Sequence, residues 1–450
     1  MYEGLVKGLR SHLPMNLKYG VAFGKIYTQT YVFLKESQYW SRDRHLSYQL
    51  SEAQKLIAHA YANVPYYHQL LDDGGINPGQ IKDFSDIAKI PFLTKEIIQK
   101  NIENLVARNV PKSSIGYGST GGSTGVPTWF YSHWPVTSAK EEAFVRLIYD
   151  RIHYVERQRE VVLRGSNVAV NEQKNIYWEN APTSKELHFS SCHINEDTFP
   201  YYLNKIKQFR PLWIRAFPSS LYLLGKHIER TGNNPFDCLK GIILSSENIY
   251  LHQKELFAKI FPGVRVFGFY GHSERCCVAG ECEQNDRYHV QSEYGYTEFV
   301  QDGQYKEIVA TGFNNYVMPF IRYRTQDYVD LSDQTCSCGR HYQLIETMVG
   351  REQEYLYTAD KTPISFASLN MHGGFYNQVY KIQFIQSEYG KCTVLLVPGK
   401  EFSQQHMQLI VQNLNDKFME RMEMEVKLVE DIPTTKSGKQ RPLLQQLDIQ

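Results

Sequence analysis

The sequence predicts an α/β fold in two parts. A large N-terminal domain, residues 1–349, would have mainly parallel sheets, flanking helices and added antiparallel strands, and a small α+β domain would span residues 350–450. Three observations predict this. Between residues 160 and 267 short apolar strands alternate with helix-length segments, as in a parallel sheet covered by helices. From Val290 to Leu331 the texture turns to short, antiparallel-looking strands. After Gly350-Arg351 it changes again, to a few strands around one helix.

The elements follow in order. From about residue 30 to 110 the pattern is helical: Leu46, Leu50, Ala53, Ile57 and Ala60 recur at alternating spacings of four and three, and Val64-Pro65-Tyr66-Tyr67 ends that helix at a turn. Thr94 is an N-cap for the helix through Ile97 and Ile98. Thr128-Trp129-Phe130-Tyr131 reads as a strand, and a helix runs from about Val136 to Tyr149. Glu160–Leu163 is a buried strand ending at Arg164-Gly165, and Leu212–Arg215 is a second. Pro218-Ser219-Ser220 starts a helix through Leu224 that stops at Gly232. Gly241–Leu244 is a third strand, ending at Ser245-Ser246-Glu247, and Val264–Phe267 is a fourth, ending at Tyr270-Gly271-His272-Ser273-Glu274. Parallel sheets bind ligands beyond the C-terminal ends of their strands, where these polar clusters fall. In the small domain, Tyr355–Tyr357 and Thr362–Ile364 flank a turn at Asp360-Lys361. Segments around Val379–Phe384, Cys392–Leu396 and Met424–Leu428 are strands, with a helix near Ser403–Arg421.

One stretch stands apart. Gly118-Ser119-Thr120-Gly121-Gly122-Ser123-Thr124-Gly125-Val126-Pro127 holds four glycines and four hydroxyl residues in ten positions. Glycines let successive backbone N–H groups converge on one anion, and the hydroxyls add donors for phosphate oxygens. A Walker A loop would continue with Lys and then Ser or Thr. Here Val126-Pro127-Thr128 follows, which excludes the P-loop NTPases. Alone, such a run is as well read as a plain surface loop; its downstream company decides.

Bulk properties set bounds. The 450 residues bury a large core, and the formal net charge of +1 gives no electrostatic case for a nucleic-acid partner. The start lacks the charged-then-apolar pattern of a secretory signal, and no uncharged apolar run approaches the ~18 residues of a membrane span. Lys7, Arg10, Lys18 and Lys25 among aromatics suit a packed amphipathic helix better than one lying on a membrane. Eight cysteines without an export signal are expected to be reduced thiols or metal ligands in a cytoplasmic protein.

Four motifs stand in one order: Ser119–Pro127, Tyr270–Glu274, Tyr323-Arg324-Thr325-Gln326-Asp327, and Pro433-Thr434-Thr435-Lys436-Ser437-Gly438-Lys439-Gln440-Arg441. Their order and spacing resemble the adenylate-forming superfamily of acyl-CoA synthetases, peptide-synthetase adenylation domains and luciferases. With Val64-Pro65-Tyr66-Tyr67 and Cys336-Ser337-Cys338-Gly339-Arg340, the chain is most similar to the phenylacetate–coenzyme A ligase family. Thr120–Gly125 resembles the branch encoded in capsular and O-antigen polysaccharide clusters.

The resemblance implies a chemistry. The enzyme would join a small-molecule carboxylic acid to the α-phosphate of ATP, release pyrophosphate, and pass the acyl group on, first of all to coenzyme A. An alternative acceptor is the amine of an amino sugar or amino acid during surface polysaccharide assembly, and a further alternative is a catalytically inactive nucleotide-binding module. Thr120, Gly121, Gly122, Ser123, Thr124 and Gly125 would hold the β- and γ-phosphates, with Ser119 also binding the nucleotide. Glu274 would help bind Mg²⁺, which favours oxygen ligands. Asp327 would accept the ribose hydroxyls, with Arg351 also on the nucleotide. Ser245, Ser246 and Glu247 would lie at the adenine, with Tyr270 as a stacking wall and Gly271, His272 and Ser273 completing that turn. Lys439 would act where charge develops at the carboxylate and α-phosphate. Glu354 occupies the hinge position of a mobile small domain, and Trp134, Arg164, Phe217 and Phe269 would line the acid pocket. The chain departs from the family pattern at Gln326, where Gly is usual, at Thr128, where many members carry Lys, at Ser273 in place of Thr, and at Glu354 in place of Asp or Lys.

Cys282, His289, Cys336 and Cys338 supply three thiols and an imidazole, the donor set of a closed structural Zn²⁺ site. Reduced, partly buried thiols without a metal are the other reading of the same residues. Cys276 and Cys277 follow Glu274 so closely that packing is the expectation for them.

Overall fold

The computed structural model describes residues 21–119, 129–164, 168–181, 185–194, 196–303, 305–351, 355–361, 363–365, 374–418, 422–433 and 441–447. Two compact units emerge: Met1–Val155 with Gly268–Met348, and Glu156–Phe267 with Val349–Gln450.

In the first unit the helices Val21–Ser37, Arg42–Asn63, Pro65–Asp73 and Lys95–Asn101 precede a two-stranded hairpin, Gly116–Ser119 against Trp129–Ser132, and the helix Trp134–Asp150. Thr94 caps as expected, its hydroxyl accepting the Ile97 N–H at 3.3 Å. Val64 closes one helix, and Pro65 at once opens the next, where its missing N–H costs nothing. The expected apolar stripe of the second helix is one position out at its start. Leu46 is exposed, whereas His45 and Gln49 lead the buried row through Ala53, Leu56 and Ala60. Gln49 earns its place by donating to the Gly295 carbonyl at 2.8 Å.

The rest of this unit is an antiparallel meander. Gly295–Asp302, Tyr305–Gly312 and Tyr323–Ser332 pair in turn, and Val278–Glu281 pairs with Tyr288–Val290 on one side and with Phe269–Gly271 on the other. Strand Leu344–Arg351, unread in the sequence, pairs with Tyr288–Val290. The strand expected to end near Phe267 runs as Arg265–Gly271, so Tyr270 and Gly271 lie within it.

The second unit has the parallel sheet. Glu160–Leu163 pairs in parallel with Glu186–Phe189 and Trp213–Ala216, and Trp213–Ala216 pairs in parallel with Gly241–Ser245. Trp178–Ala181 adds an antiparallel edge. Helices Phe199–Phe209, Pro218–Thr231 and Leu251–Ile260 bury Tyr202, Leu221, Leu224 and Phe257 against these strands. Trp213 stands opposite Gly241, where a Cβ would lie 2.5 Å from its ring. The C-terminal part of this unit is a four-stranded sheet in the order Glu423–Leu428, Lys391–Pro398, Val379–Glu388, Leu443–Gln445. Helix Gln404–Phe418 buries Ile410, Leu414 and Phe418 in the core beneath it.

Within this unit Lys226 is almost wholly enclosed, and its ammonium nitrogen donates to the carbonyls of Tyr376 and Val379, the latter at 2.7 Å. Burial pushes its pKa down to about 7. Two N–H bonds of a neutral amine match the two carbonyls. Between about pH 7 and the ordinary lysine value near 10.5 the unfolded chain therefore holds a proton that the folded chain has lost. Stability from this group should rise with pH across that window, by at most about 1.4 kcal/mol per pH unit. Denaturant unfolding of wild type and Lys226→Met at pH 7, 8 and 9 checks it: the gap should widen in favour of wild type, and a constant gap would refute it.

Candidate functional site

The site in the first unit is built on strand Tyr323–Ser332, where period-two alternation turns Tyr323, Thr325 and Asp327 inward. Leu93 adds to this strand: its N–H donates to the Arg322 carbonyl and its carbonyl accepts from the Arg324 N–H, each at 3.0 Å. Arg322 grips Glu298 with two nitrogens and reaches back to the carbonyls of Ala88 and Ile90. The start of the strand is therefore fixed from both sides.

Before Asp327 the pairing of this strand with Tyr305–Gly312 shifts register, and the irregular stretch is held by its own polar groups. Thr325 Oγ1 donates to the Ile308 carbonyl at 2.8 Å and accepts the Asp327 N–H at 3.1 Å. Gln326 sits at φ 61°, the left-handed region that favours glycine, so the backbone keeps the shape a glycine would give. Its N–H donates to buried Glu307 at 3.0 Å, Arg324 Nε donates to the other Glu307 oxygen at 2.6 Å, and its side chain accepts from Lys95 at 3.1 Å. Tyr270 then donates to Asp327 Oδ2 at 2.8 Å, which fixes the plane of its ring.

The turn after strand Arg265–Gly271 presents Glu274. Its carboxylate is buried, yet both oxygens have donors: Tyr323 Oη at 2.6 Å and His272 Nδ1 at 3.1 Å. Burial is the largest influence on its pKa and works to raise it, opposed by the hydrogen bonds from His272, Tyr323 and the backbone. The turn is crowded: a Cβ at Gly295 would meet the Cys276 carbonyl oxygen at 2.4 Å. Cys276 and Cys277 are buried, and burial pushes the Cys277 thiol up to about 12, so they pack rather than react.

Other expected residues divide between the units. Ser119 ends the hairpin strand Gly116–Ser119. Phe269 meets Tyr149 edge-on, at 6.1 Å between ring centroids, and Trp134 begins the helix Trp134–Asp150. In the second unit Ser245 ends its strand, and Ser246 follows at φ 71° with Oγ 3.0 Å from Arg164 Nη2. Glu247 accepts from the backbone N–H and hydroxyl of Ser219 at 2.9 and 3.0 Å, capping the helix that follows buried Phe217. Arg351 ends the strand Leu344–Arg351. Thr120–Gly125, Glu354 and Lys439 lie outside the described residues.

Cys282, His289, Cys336 and Cys338 converge, with all four ligand atoms within 4.8 Å of one another. The sulfurs of Cys282 and Cys336 are 3.5 Å apart, as are Cys338 Sγ and His289 Nε2. Ligand atoms at ~2.0–2.3 Å from a tetrahedral Zn²⁺ would be roughly 3.3–3.8 Å apart, so the donor set and spacing fit that ion. Asn285 Nδ2 approaches Cys336 Sγ at 3.4 Å, the Gln284 N–H approaches Cys282 Sγ at 3.4 Å, and Arg340 holds neighbouring Glu283 at 2.7 Å.

Sequence reasoning named Tyr323 only as part of a motif and missed the parts of Glu307 and Lys95. The alternation of residues 323, 325 and 327 was the available signal for Tyr323. Nothing local pointed to Glu307 or Lys95, because their partners are distant in sequence.

Residues 356–446 match the family described as the CapK C-terminal domain. The chain is 21% identical over 384 residues to Protein CapK of Staphylococcus aureus, covering 84% of each chain. It is 24% identical over 341 residues to phenylacetate-coenzyme A ligase of Aromatoleum evansii, covering 70% of this chain and 72% of that one. Among solved structures, 2-hydroxyisobutyryl-CoA ligase in the postadenylation state, in complex with R3-HIB-AMP, superposes with a TM-score of 0.70 at 17% identity. That match covers 91% of this chain and 93% of the other, a likeness of fold.

The left-handed Gln326 yields a stability test. Gln326→Gly should stay within about 1 kcal/mol of wild type, while Gln326→Val, β-branched at positive φ, should lose roughly 1–3 kcal/mol. Denaturant unfolding checks both, and a Val variant as stable as wild type would remove the strain argument.

Proposed function

We infer that this chain, which stands among the adenylate-forming ligases beside CapK and the phenylacetate–coenzyme A ligases, is an AMP-forming acid ligase whose acceptor is coenzyme A. The observation that carries the reading is the pair of buried carboxylates, Glu274 and Asp327, each held in place by a tyrosine hydroxyl. Buried carboxylates held by hydroxyl donors in this way suit a cation-bearing nucleotide better than they suit a core.

In this reading a carboxylate oxygen of the acid attacks the α-phosphorus of ATP. The P–O bond to pyrophosphate breaks, and an acyl-AMP remains. The thiol of coenzyme A then attacks the acyl carbon and AMP leaves. Thr120–Gly125 are assigned the outer phosphates, Asp327 the ribose hydroxyls, Tyr270 and likewise Ser245, Ser246 and Glu247 the adenine, and Arg351 a further contact to the nucleotide. Mg²⁺, when bound, screens the charge of the phosphates, and Glu274 would hold it. Lys439 stabilises the charge that develops during adenylation. Trp134, Arg164, Phe217 and Phe269 are assigned to the acid, and residues 350–450 to a small domain with its hinge at Glu354. A cytoplasmic setting belongs to the reading, since ATP and reduced thiols are found there.

A second reading keeps the same adenylation step and is an amide ligase that passes the acyl group to an amino sugar or amino acid in surface polysaccharide assembly. Pyrophosphate release with a panel of acids, followed by addition of coenzyme A or amines, separates the two, and no release with any acid would leave an inactive nucleotide-binding module. Lys439→Ala should slow acyl-AMP formation by about a hundredfold or more, some 3 kcal/mol, and leave acyl-AMP consumption nearly intact. Wild-type pyrophosphate exchange in that variant would reject the assignment.

Structural Zn²⁺ at Cys282, His289, Cys336 and Cys338 completes the proposal. Protein prepared without added zinc should carry one ion per chain by elemental analysis. Cys338→Ser should lose the ion and melt lower, and chelators should strip it faster in acid, as protons compete for the ligands. Metal-free protein of unchanged stability would count against the site.

A further inference from the structure

Glu274 has two donors, and they differ in kind. Tyr323 comes from another strand, whereas His272 comes from the same turn, two residues before the carboxylate it holds. The ring of His272 is buried. It is tied on its far side too: the backbone N–H of Cys277 donates to Nε2 at 3.2 Å, and the Arg275 N–H closes the turn on the His272 carbonyl at 3.1 Å. A backbone N–H can only donate, so Nε2 must be the bare nitrogen. A neutral imidazole has one proton, which therefore sits on Nδ1 and points at Glu274 Oε2.

This arrangement does two separable things. Through Nε2 the ring staples the turn from residue 272 to residue 277. Through Nδ1–H it occupies one direction of Glu274 Oε2, while Tyr323 occupies one direction of Oε1. Each carboxylate oxygen accepts in two directions, so the two donors leave the remaining acceptor directions fixed in space. A carboxylate so clamped cannot rotate about its terminal bond without breaking a hydrogen bond to a charged acceptor.

We infer that His272, held as its Nδ1–H tautomer by the Cys277 N–H, is the positioning residue that aims the Glu274 carboxylate at the divalent cation of the bound nucleotide. This rests on the reading of Glu274 as the cation's ligand. Partners that orient a ligating side chain typically govern about 10–100-fold in metal affinity.

Substitutions can split the two roles. In Asn the amide nitrogen falls near the place of Nδ1, so His272→Asn keeps the donor to Glu274 and loses the staple. In Gln the terminal amide reaches the place of Nε2, so His272→Gln keeps the staple and loses the donor. The experiment titrates Mn²⁺ into the full chain with α,β-methylene-ATP, follows bound metal by electron paramagnetic resonance, and records the melting temperature of each variant. His272→Gln should weaken Mn²⁺ binding about tenfold or more with a melting temperature near wild type. His272→Asn should bind within about threefold of wild type yet melt lower. Equal losses of affinity in both variants, or wild-type affinity in His272→Gln, would overturn the inference. Glu274→Gln is the reference: if it binds Mn²⁺ like wild type, the role of Glu274 falls, and His272 falls with it. If only His272→Gln is unaffected, Glu274 stands and the inference about His272 alone fails. ¹⁵N spectra of the unsubstituted protein give a test free of folding artefacts. They should show Nε2 of His272 unprotonated, and a proton there would overturn the assignment.

Discussion

A carboxylate taken out of water must find donors, and much of this molecule is arranged to supply them. Glu307 is completely buried and is met by the Arg324 guanidinium and the Gln326 N–H, which together bend the chain ahead of Asp327. Glu293, also buried, takes hydroxyls from Ser37 and Tyr342, which ties the first described helix to the turn between Tyr288–Val290 and Gly295–Asp302. Glu160 in the other unit faces Arg215 at 3.0 Å across paired strands. Removing one donor in such a set costs more than the bond is worth, because an unpaired charge is left behind. Glu274 and Asp327 follow the same rule, the first on the turn after a strand and the second within one.

How much of this was legible in the sequence depended on how far each signal reached along the chain. Glu160–Leu163, Gly241–Ser245 and the helix closed by Gly232 were readable because an apolar run or a punctuating residue marked them locally. Trp178–Ala181 was missed because two of its four residues face solvent and no apolar run announces it. The phase error at Leu46 has a similar cause: His45 and Gln49 are buried polar residues, and hydropathy alone assigns such residues to the surface.

The site was legible in the same uneven way. Glu274, Asp327 and the zinc-type ligand set could be named from residue types and order, since each chemistry restricts the side chains that serve it. The roles of Tyr323, Glu307 and Lys95 could not, because each depends on a partner brought near only by the fold. Gln326 is the instructive middle case. Its identity argued against the backbone geometry that a glycine gives, and the structure nonetheless holds it at φ 61°, since hydrogen bonds to Glu307 and from Lys95 offset the strain.

The pairing of Trp213 with Gly241 has a consequence for the history of the chain. The two positions face each other on adjacent parallel strands, and the indole fills the space that any side chain at residue 241 would need. A lineage can replace the glycine only after the tryptophan has shrunk, whereas the reverse order passes through an overpacked intermediate. Shrinking the indole first leaves a cavity that a later side chain at 241 can fill. Drift at this place is therefore directional: the two sites form one inherited unit, and related sequences should show them changing together and in that order.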